Sequence, residues 1–154
     1  RKQADFLQGW LLVEQGHREV GIAQMIAARA AWPAAASGRW NAHIAALLAD
    51  TYGKEGQTAE GLRVVNEEQS RAHISGARFY QAEVHRIKGE LLLAQVAADE
   101  QEAEACFQNA LNIARGQSAK SLELRAAMSL SRLWQRQGKT DNAQKLLADI
   151  FRGL

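Results

Sequence analysis

The sequence predicts an all-α protein, built as a stack of four helix-turn-helix repeats. Ala, Leu, Gln, Glu and Arg, which are all good helix formers, dominate the 154 residues, and Pro33 is the only proline. A glycine turn also recurs at a spacing of about 40 residues, and repeats of that length are typical of helical stacks. Because no segment shows sustained alternation of β-branched residues, we expect no sheet.

The turns divide the chain into four repeats. Three similar segments, LLVEQGHREVG, LADTYGKEGQTAEG and LSRLWQRQGKTDNA, each join the end of one helix to the start of another through Gly16, Gly56 or Gly138. The first interval is 40 residues and the second is 82, so a fourth turn is expected near residue 97, where the chain has no glycine. We therefore expect one domain, residues 1–154, with repeats at approximately 1–36, 37–75, 76–117 and 118–154.

Each repeat is predicted to contain two antiparallel helices. The expected helices are 2–15, 17–35, 39–55, 58–73, 77–96, 99–116, 119–137 and 140–152. The turn glycines suit a left-handed C-terminal cap, and Thr58 and Thr140 are predicted N-caps.

Small and large residues recur at fixed places around the turns. A small residue lies seven positions before each turn glycine, and a large residue lies three positions after the small one. Ala49 and Tyr52 are the pair that precedes Gly56. Small residues allow the paired helix to approach closely, and large ones fill the space to the next layer. In the second helix of the second repeat, Glu68 replaces the Ala28 and Ala110 of repeats one and three, so we expect less close packing there.

This order of small, large and aromatic residues resembles the tetratricopeptide repeat. The segments RIKGELLL and EAEACFQNALNIAR in the third repeat carry the resemblance, and Pro33 falls where that family often ends a helix. The resemblance implies a right-handed superhelix whose first helices line a concave groove. Since the repeats here are longer than usual, we describe them as tetratricopeptide-like.

A narrower resemblance covers most of the chain. RFYQAEVHRIKGELLL and EAEACFQNALNIARGQSAKSLELRAAMSLSRLWQRQGK are similar to the C-terminal region of large bacterial signalling proteins, which carry a class III adenylate or guanylate cyclase domain and a P-loop ATPase domain. The resemblance implies that this chain is the repeat region of a longer protein of that kind. It brings no catalytic residue with it.

Composition and motifs argue against several functions. The formal net charge of +2 is too balanced for a dedicated nucleic-acid or membrane surface, and we expect neither partner. No phosphate-binding loop or helical histidine pair is present, so we expect no catalytic residue, cofactor or metal. The lone Cys106 is expected to be buried, and His85 to be structural. A cytoplasmic location is expected, since one cysteine fits a reducing compartment.

Four tryptophans stand out. Trp134 is predicted to lie in the core because of its place in the repeat. Trp10, Trp32 and Trp40 cluster near the first repeat, where they either pack within the protein or line a groove, and we favour packing.

Surface residues on the first helices remain as the candidate site. The helical phase predicts a partner-binding concave face formed by Trp10, Glu14, His43, Asp50, Lys54, Glu83, Arg86, Glu90, Arg125, Arg132 and Arg136. The last three form a basic stripe that is either solvated or binds an acidic segment. We therefore expect a non-catalytic module for protein interaction or intramolecular coupling. The alternatives are a small-ligand sensor that gates an ATPase or cyclase domain, and an RNA-binding repeat array, which recurrent base-reading side chains would support.

Overall fold

The protein is all-α. A computed structural model describes residues 2–31, 38–76 and 78–154, and these residues form eight helices and no strand. The helices are α1 (Lys2–Glu14), α2 (Arg18–Ala30), α3 (Gly38–Lys54), α4 (Thr58–Ser75), α5 (Gln81–Ala94), α6 (Glu100–Gly116), α7 (Lys120–Arg136) and α8 (Thr140–Arg152). Six of the eight helices begin and end within two residues of the expected bounds, and α2 and α5 differ more.

The two larger differences lie at α2 and α5. Helix α2 was expected to reach residue 35, but it ends at Ala30, and residues 32–37, with Trp32 and Pro33, lie outside the described part. Helix α5 was expected from residue 77 and begins only at Gln81. The reason is that α4 ends on Gly76 with a φ of 74° and Tyr80 has a φ of 63°, so the backbone is left-handed on both sides of the joint.

Four turns share one hydrogen-bonded geometry. Gly16, Gly56 and Gly138 have positive φ, which confirms the predicted left-handed caps, and Ser118 takes the same conformation between α6 and α7. In each turn the following amide donates to a carbonyl five residues earlier, as from Gln57 N to Tyr52 O at 2.8 Å. This bond satisfies a carbonyl that the end of the helix leaves without a partner.

The predicted N-caps are wrong by one residue. Thr58 and Thr140 are the first residues of their helices, and the residues before them make no side-chain capping bond. At the turn without glycine, Asp99 Oδ1 accepts a hydrogen bond from Glu102 N at 3.0 Å and caps α6. A carboxylate there also complements the positive end of the helix dipole.

The chain forms two compact units, residues 1–79 and residues 80–154. In unit 1, α1 packs against α2 and α3 against α4, and α3 also contacts both α1 and α2. Its core contains Phe6, Met25, Leu48 and Val65. Helices α1 and α2 approach so closely at Gly9 and Gly21 that a Cβ atom on Gly21 would lie 2.5 Å from the Gly9 carbonyl oxygen.

In unit 2 each helix packs against the next, and α5 also contacts α7. The close approach of α5 and α6 occurs at Gly89, where an added Cβ would lie 2.5 Å from the Phe107 ring. Phe107 is fully buried, with Leu130 and Leu133 from α7, and Trp134 packs against this cluster. Trp134 also donates from Nε1 to Glu104 Oε1 at 3.0 Å.

A search of the described residues for membrane spans finds no helix that is both long enough and apolar enough to cross a bilayer.

Candidate functional site

The strongest candidate surface lies on α5 and α7 in unit 2. Six of the predicted residues belong to these two helices: Glu83, Arg86, Glu90, Arg125, Arg132 and Arg136. They follow helical spacing, so each set occupies one side of its helix. Because α5 and α7 pack against each other, the two sets form one polar surface, which we call the α5/α7 surface.

Glu83 joins the two helices at one end of this surface. Its carboxylate is nearly inaccessible, at 3% exposure, and accepts from Arg86 Nη2 at 2.6 Å and from Arg125 Nη1 at 2.9 Å. A buried carboxylate needs such partners to offset its lost hydration. One carboxylate therefore holds two guanidinium groups, of which Arg125 remains 52% exposed.

Ser129 lies at the centre of the α5/α7 surface. Its buried Oγ is 3.4 Å from both Arg86 Nη1 and Arg132 Nη2, so it accepts from the arginines on either side. Arg132 also lies 3.7 Å from Glu90 Oε1 across the helix pair, and its side chain is 57% exposed. The hydrogen bonds thus continue from Arg86 through Ser129 to Arg132.

A groove of about 410 Å³ continues the surface beyond Arg132. It is lined by Glu90, Leu93, Ser129, Arg132, Gln135 and Arg136. Arg136 is exposed and makes no ion pair with any residue in the described part of the chain. A partner's acidic group can therefore bind Arg136 without displacing an internal carboxylate.

The charge balance favours an anionic partner. Four arginines face two glutamates, which leaves a formal surplus of two positive charges on the α5/α7 surface. Each guanidinium can bind a carboxylate through two parallel hydrogen bonds. Nearby, burial and the Glu83 carboxylate raise the pKa of the Tyr80 hydroxyl.

The five other predicted site residues belong to unit 1. Trp10 is half-buried and Glu14 exposed on α1. On α3, Asp50 and Lys54 pair with each other at 3.2 Å, which uses charge that a partner would need. His43 is half-buried and meets the Trp40 ring edge-on, with the ring centroids 6.0 Å apart.

Unit 1 contains a cavity that the sequence did not predict. It has a volume of about 660 Å³ and lies among α2, α3 and α4. We call it the unit-1 cavity, and its lining residues are Ile26, Arg29, Ala30, Asn41, Ile44, Leu48, Tyr52, Glu60, Arg63, Val64, Glu68 and Arg71. The sequence signal was Glu68, a carboxylate where other repeats have an apolar residue, and it is buried in the cavity wall.

Cys106 and His85, the two isolated side chains considered for a chemical role, are buried to different extents. Cys106 is buried and not in a disulfide, and burial raises the pKa of its thiol to about 11. His85 is half-buried, and burial together with Lys88 lowers the pKa of its imidazole. Among the described residues, no group of three His, Cys, Asp or Glu side chains is placed to hold a metal.

In comparisons with known proteins, the sequence matches no protein-family model and no curated protein.

Proposed function

We propose that this chain is a non-catalytic module for protein interaction or intramolecular coupling, and that the α5/α7 surface binds an acidic segment. The observation that carries the proposal is the surplus of exposed guanidinium groups, above all Arg136, which has no ion-pair partner among the described residues. The acidic segment belongs to a partner protein or to another domain of a longer chain.

The packing order supports a tetratricopeptide-like stack. Within unit 2, the first helix of one repeat (α5) packs against its own second helix (α6) and against the first helix of the next repeat (α7). Stacks of this type expose an extended surface on their first helices. A right-handed superhelix of four such repeats is part of the proposal, and it makes the α5/α7 surface part of the concave side.

The wider context is also proposed. The segments RFYQAEVHRIKGELLL and EAEACFQNALNIAR resemble the repeat region of bacterial cyclase and ATPase signalling proteins. We accordingly propose that the chain works in the cytoplasm as the coupling region of such a regulator. On this proposal, any catalytic activity belongs to other domains of the regulator.

A direct binding experiment tests the α5/α7 surface. The probe is a fluorescein-labelled synthetic peptide of alternating Glu and Gly, with a Lys and Gly peptide of equal length as its control. The double variant Arg132→Gln/Arg136→Gln should bind the acidic peptide about tenfold more weakly, by loss of roughly 1.4 kcal/mol. Fluorescence anisotropy measures the affinity for each peptide at low and at high salt. High salt should weaken the affinity of the wild type for the acidic peptide.

The matched control is Lys145→Gln/Arg152→Gln, which removes the same charge from exposed positions on α8. It should leave the affinity for the acidic peptide within about twofold of the wild type, since isolated surface charges contribute little. Equal weakening in both double variants would mean that net charge alone attracts the peptide, and it would reject the α5/α7 surface as the site.

A second candidate function is sensing of a small ligand that gates a neighbouring ATPase or cyclase domain. The observation that favours it is the unit-1 cavity, whose volume of about 660 Å³ falls in the range of ligand sites. The gating itself requires the other domain, and it is tested by measuring that domain's activity with and without ligand in the longer protein.

A further inference from the structure

The unit-1 cavity lies where α2 and α4 do not pack against each other. Among the described residues, the backbone of α3 lies close to the backbones of both helices, but the backbones of α2 and α4 do not lie close to each other. One long side chain crosses the gap: Arg29 on α2 reaches Glu67 on α4, with Nη2 and Oε2 3.4 Å apart. Arg29 is also one of the residues that line the cavity.

The inner wall of the cavity is apolar. Ile44, Leu48 and Val64 are buried and face the cavity from α3 and α4, and Ile26 on α2 adds a more exposed aliphatic side chain. Protein interiors are normally packed so closely that few voids exceed the volume of a water molecule. An apolar group of a ligand can therefore bury its surface against these aliphatic side chains.

The rest of the wall carries charge. Arg29, Arg63 and Arg71 line the cavity with Glu60 and Glu68. Both oxygens of the buried Glu68 are held by Arg71, at 2.8 and 2.6 Å. Arg63 binds Glu60, and its Nη1 also donates to Glu67 Oε1 at 2.6 Å. The two lining carboxylates thus each hold a guanidinium, and Glu67, just outside the lining, is the carboxylate nearest to the third arginine.

Arg29 is the least engaged of the three arginines. Its one hydrogen bond within the described part of the chain is the 3.4 Å contact to Glu67, a carboxylate that Arg63 binds more closely. A guanidinium has five N–H donors, so Arg29 has capacity to bind an anion. Tyr52 also lines the cavity, and its phenolic hydroxyl is a second hydrogen-bond donor.

The corresponding place in unit 2 is closed by aliphatic side chains. An offset of 82 residues relates the two units, matching Gly56 with Gly138 and Tyr52 with Trp134. The same offset matches Arg29 with Leu111 and Glu68 with Ile150. Leu111 and Ile150 are buried in one cluster with Ala126 and Ala127, and Leu146 and Leu147 pack against it. The stack therefore does not need charged residues at these positions for packing.

We propose that the unit-1 cavity binds a small amphipathic anion, with an apolar body against Ile44, Leu48 and Val64 and an acidic group on Arg29 and Tyr52. The apolar body buries its surface against the aliphatic wall, and the acidic group accepts hydrogen bonds from the donors that the internal carboxylates leave available. This binding site depends on the cavity alone. The proposal therefore stands whether or not the α5/α7 surface binds an acidic segment.

Two fluorescent probes with nearly the same carbon skeleton test this proposal. Anilinonaphthalene sulfonate carries one negative charge, and phenylnaphthylamine is its uncharged counterpart. Arg29→Gln should weaken sulfonate binding about tenfold, as expected for loss of a charge-assisted hydrogen bond, while the neutral probe binds as before. Tyr52→Phe should weaken sulfonate binding about threefold, since it removes one neutral donor.

Three controls separate the cavity from other apolar surfaces. Arg18→Gln removes the same charge from the same helix, away from the cavity lining, and should bind both probes like the wild type. Ala30→Trp places bulk in the cavity wall and should abolish binding of both probes, with circular dichroism reporting that the helices persist. Arg132→Gln/Arg136→Gln should leave both probes unaffected, so that this proposal and the α5/α7 proposal fail independently.

The proposal is overturned by either of two results. One is unchanged sulfonate affinity in Arg29→Gln, which would mean that the anion is not recognised there. The other is continued binding of both probes to Ala30→Trp, which would place the probes on exposed aliphatic residues elsewhere, such as Leu7 and Leu11.

Discussion

Cys106 and Phe107 are neighbours on α6, and both side chains are buried. Their burial has different consequences, because one side chain can ionise and the other cannot. Burial disfavours the ionised form of the thiol, whereas the phenyl ring contributes packing at every pH. Each residue therefore yields its own measurable expectation.

Stability should fall as the pH rises through the titration range of Cys106. Burial raises the pKa of this thiol from 9.0 to about 11, so between these values the unfolded chain loses a proton that the folded chain retains. Urea melts at about pH 8 and pH 10.5 measure how much the free energy of unfolding falls between these two pH values. The fall should be smaller by about 1–2 kcal/mol in Cys106→Ala than in the wild type. Identical pH profiles for the two proteins would contradict this explanation.

Phe107→Ala should cost more stability than Leu92→Ala. Phe107 is fully buried, while Leu92 is half-buried at the edge of the same cluster. We expect losses of about 3–5 kcal/mol for Phe107→Ala and about 1–2 kcal/mol for Leu92→Ala. Denaturant melts measure both, and equal losses would mean that Leu92 is also enclosed.

At the scale of the helices, close approaches and end caps determine the arrangement. The sequence located the turns because left-handed backbone favours glycine, and three of the four turns of this type contain it. The expected helices 99–116 and 119–137 also placed the break at Ser118, but nothing in the sequence indicated its left-handed conformation, since serine is not glycine. The late start of α5 was missed for the same reason, because Tyr80 rather than glycine adopts the left-handed conformation.

Gly89→Ala should destabilise the protein although alanine is the better helix former. The added Cβ would lie 2.5 Å from Cε1 of Phe107, a ring that is enclosed and unable to move aside. We expect the clash to outweigh the helix-propensity gain of about 1 kcal/mol and to leave a net loss of about 1–3 kcal/mol.

The control for this prediction is Gly116→Ala at the end of α6, where nothing lies within 4 Å of the added Cβ. It should leave the free energy of unfolding unchanged or raise it by up to about 1 kcal/mol. Thermal and urea melts of the two variants give the comparison, and a Gly89→Ala protein as stable as Gly116→Ala would show that α5 and α6 can separate without cost.

At the scale of the whole molecule, much of the helical architecture could be predicted from the sequence, but little of the site could. Periodicity and glycine spacing predicted all eight helices, because each depends on residues near in sequence. The bond from Arg125 to Glu83 spans two helices, and its existence depends on how the helices pack. Glu68 marked a departure from the repeat, but the cavity beside it requires the positions of three helices.

The relation between the two units predicts a variant that closes the unit-1 cavity. Arg29→Leu/Glu68→Ile installs the residue types of Leu111 and Ile150, which occupy the matching positions in unit 2. Because Glu68→Ile also removes the carboxylate that Arg71 binds, the gain from aliphatic packing is offset by an unpaired guanidinium, and we expect thermal stability close to that of the wild type. Binding of anilinonaphthalene sulfonate should be lost in the same protein, and retention of binding in the folded variant would contradict the assignment of the cavity.

The shared turn geometry has a consequence for where the chain can be divided into repeats. The α6–α7 turn at Ser118 crosses from one predicted repeat to the next, yet its hydrogen bond, from Ala119 N to Ala114 O at 2.9 Å, matches the one inside the last repeat, from Lys139 N to Trp134 O at 2.7 Å. The connection between two predicted repeats thus has the same hydrogen-bonded geometry as the connection within one. The turn itself therefore does not mark where one repeat ends and the next begins.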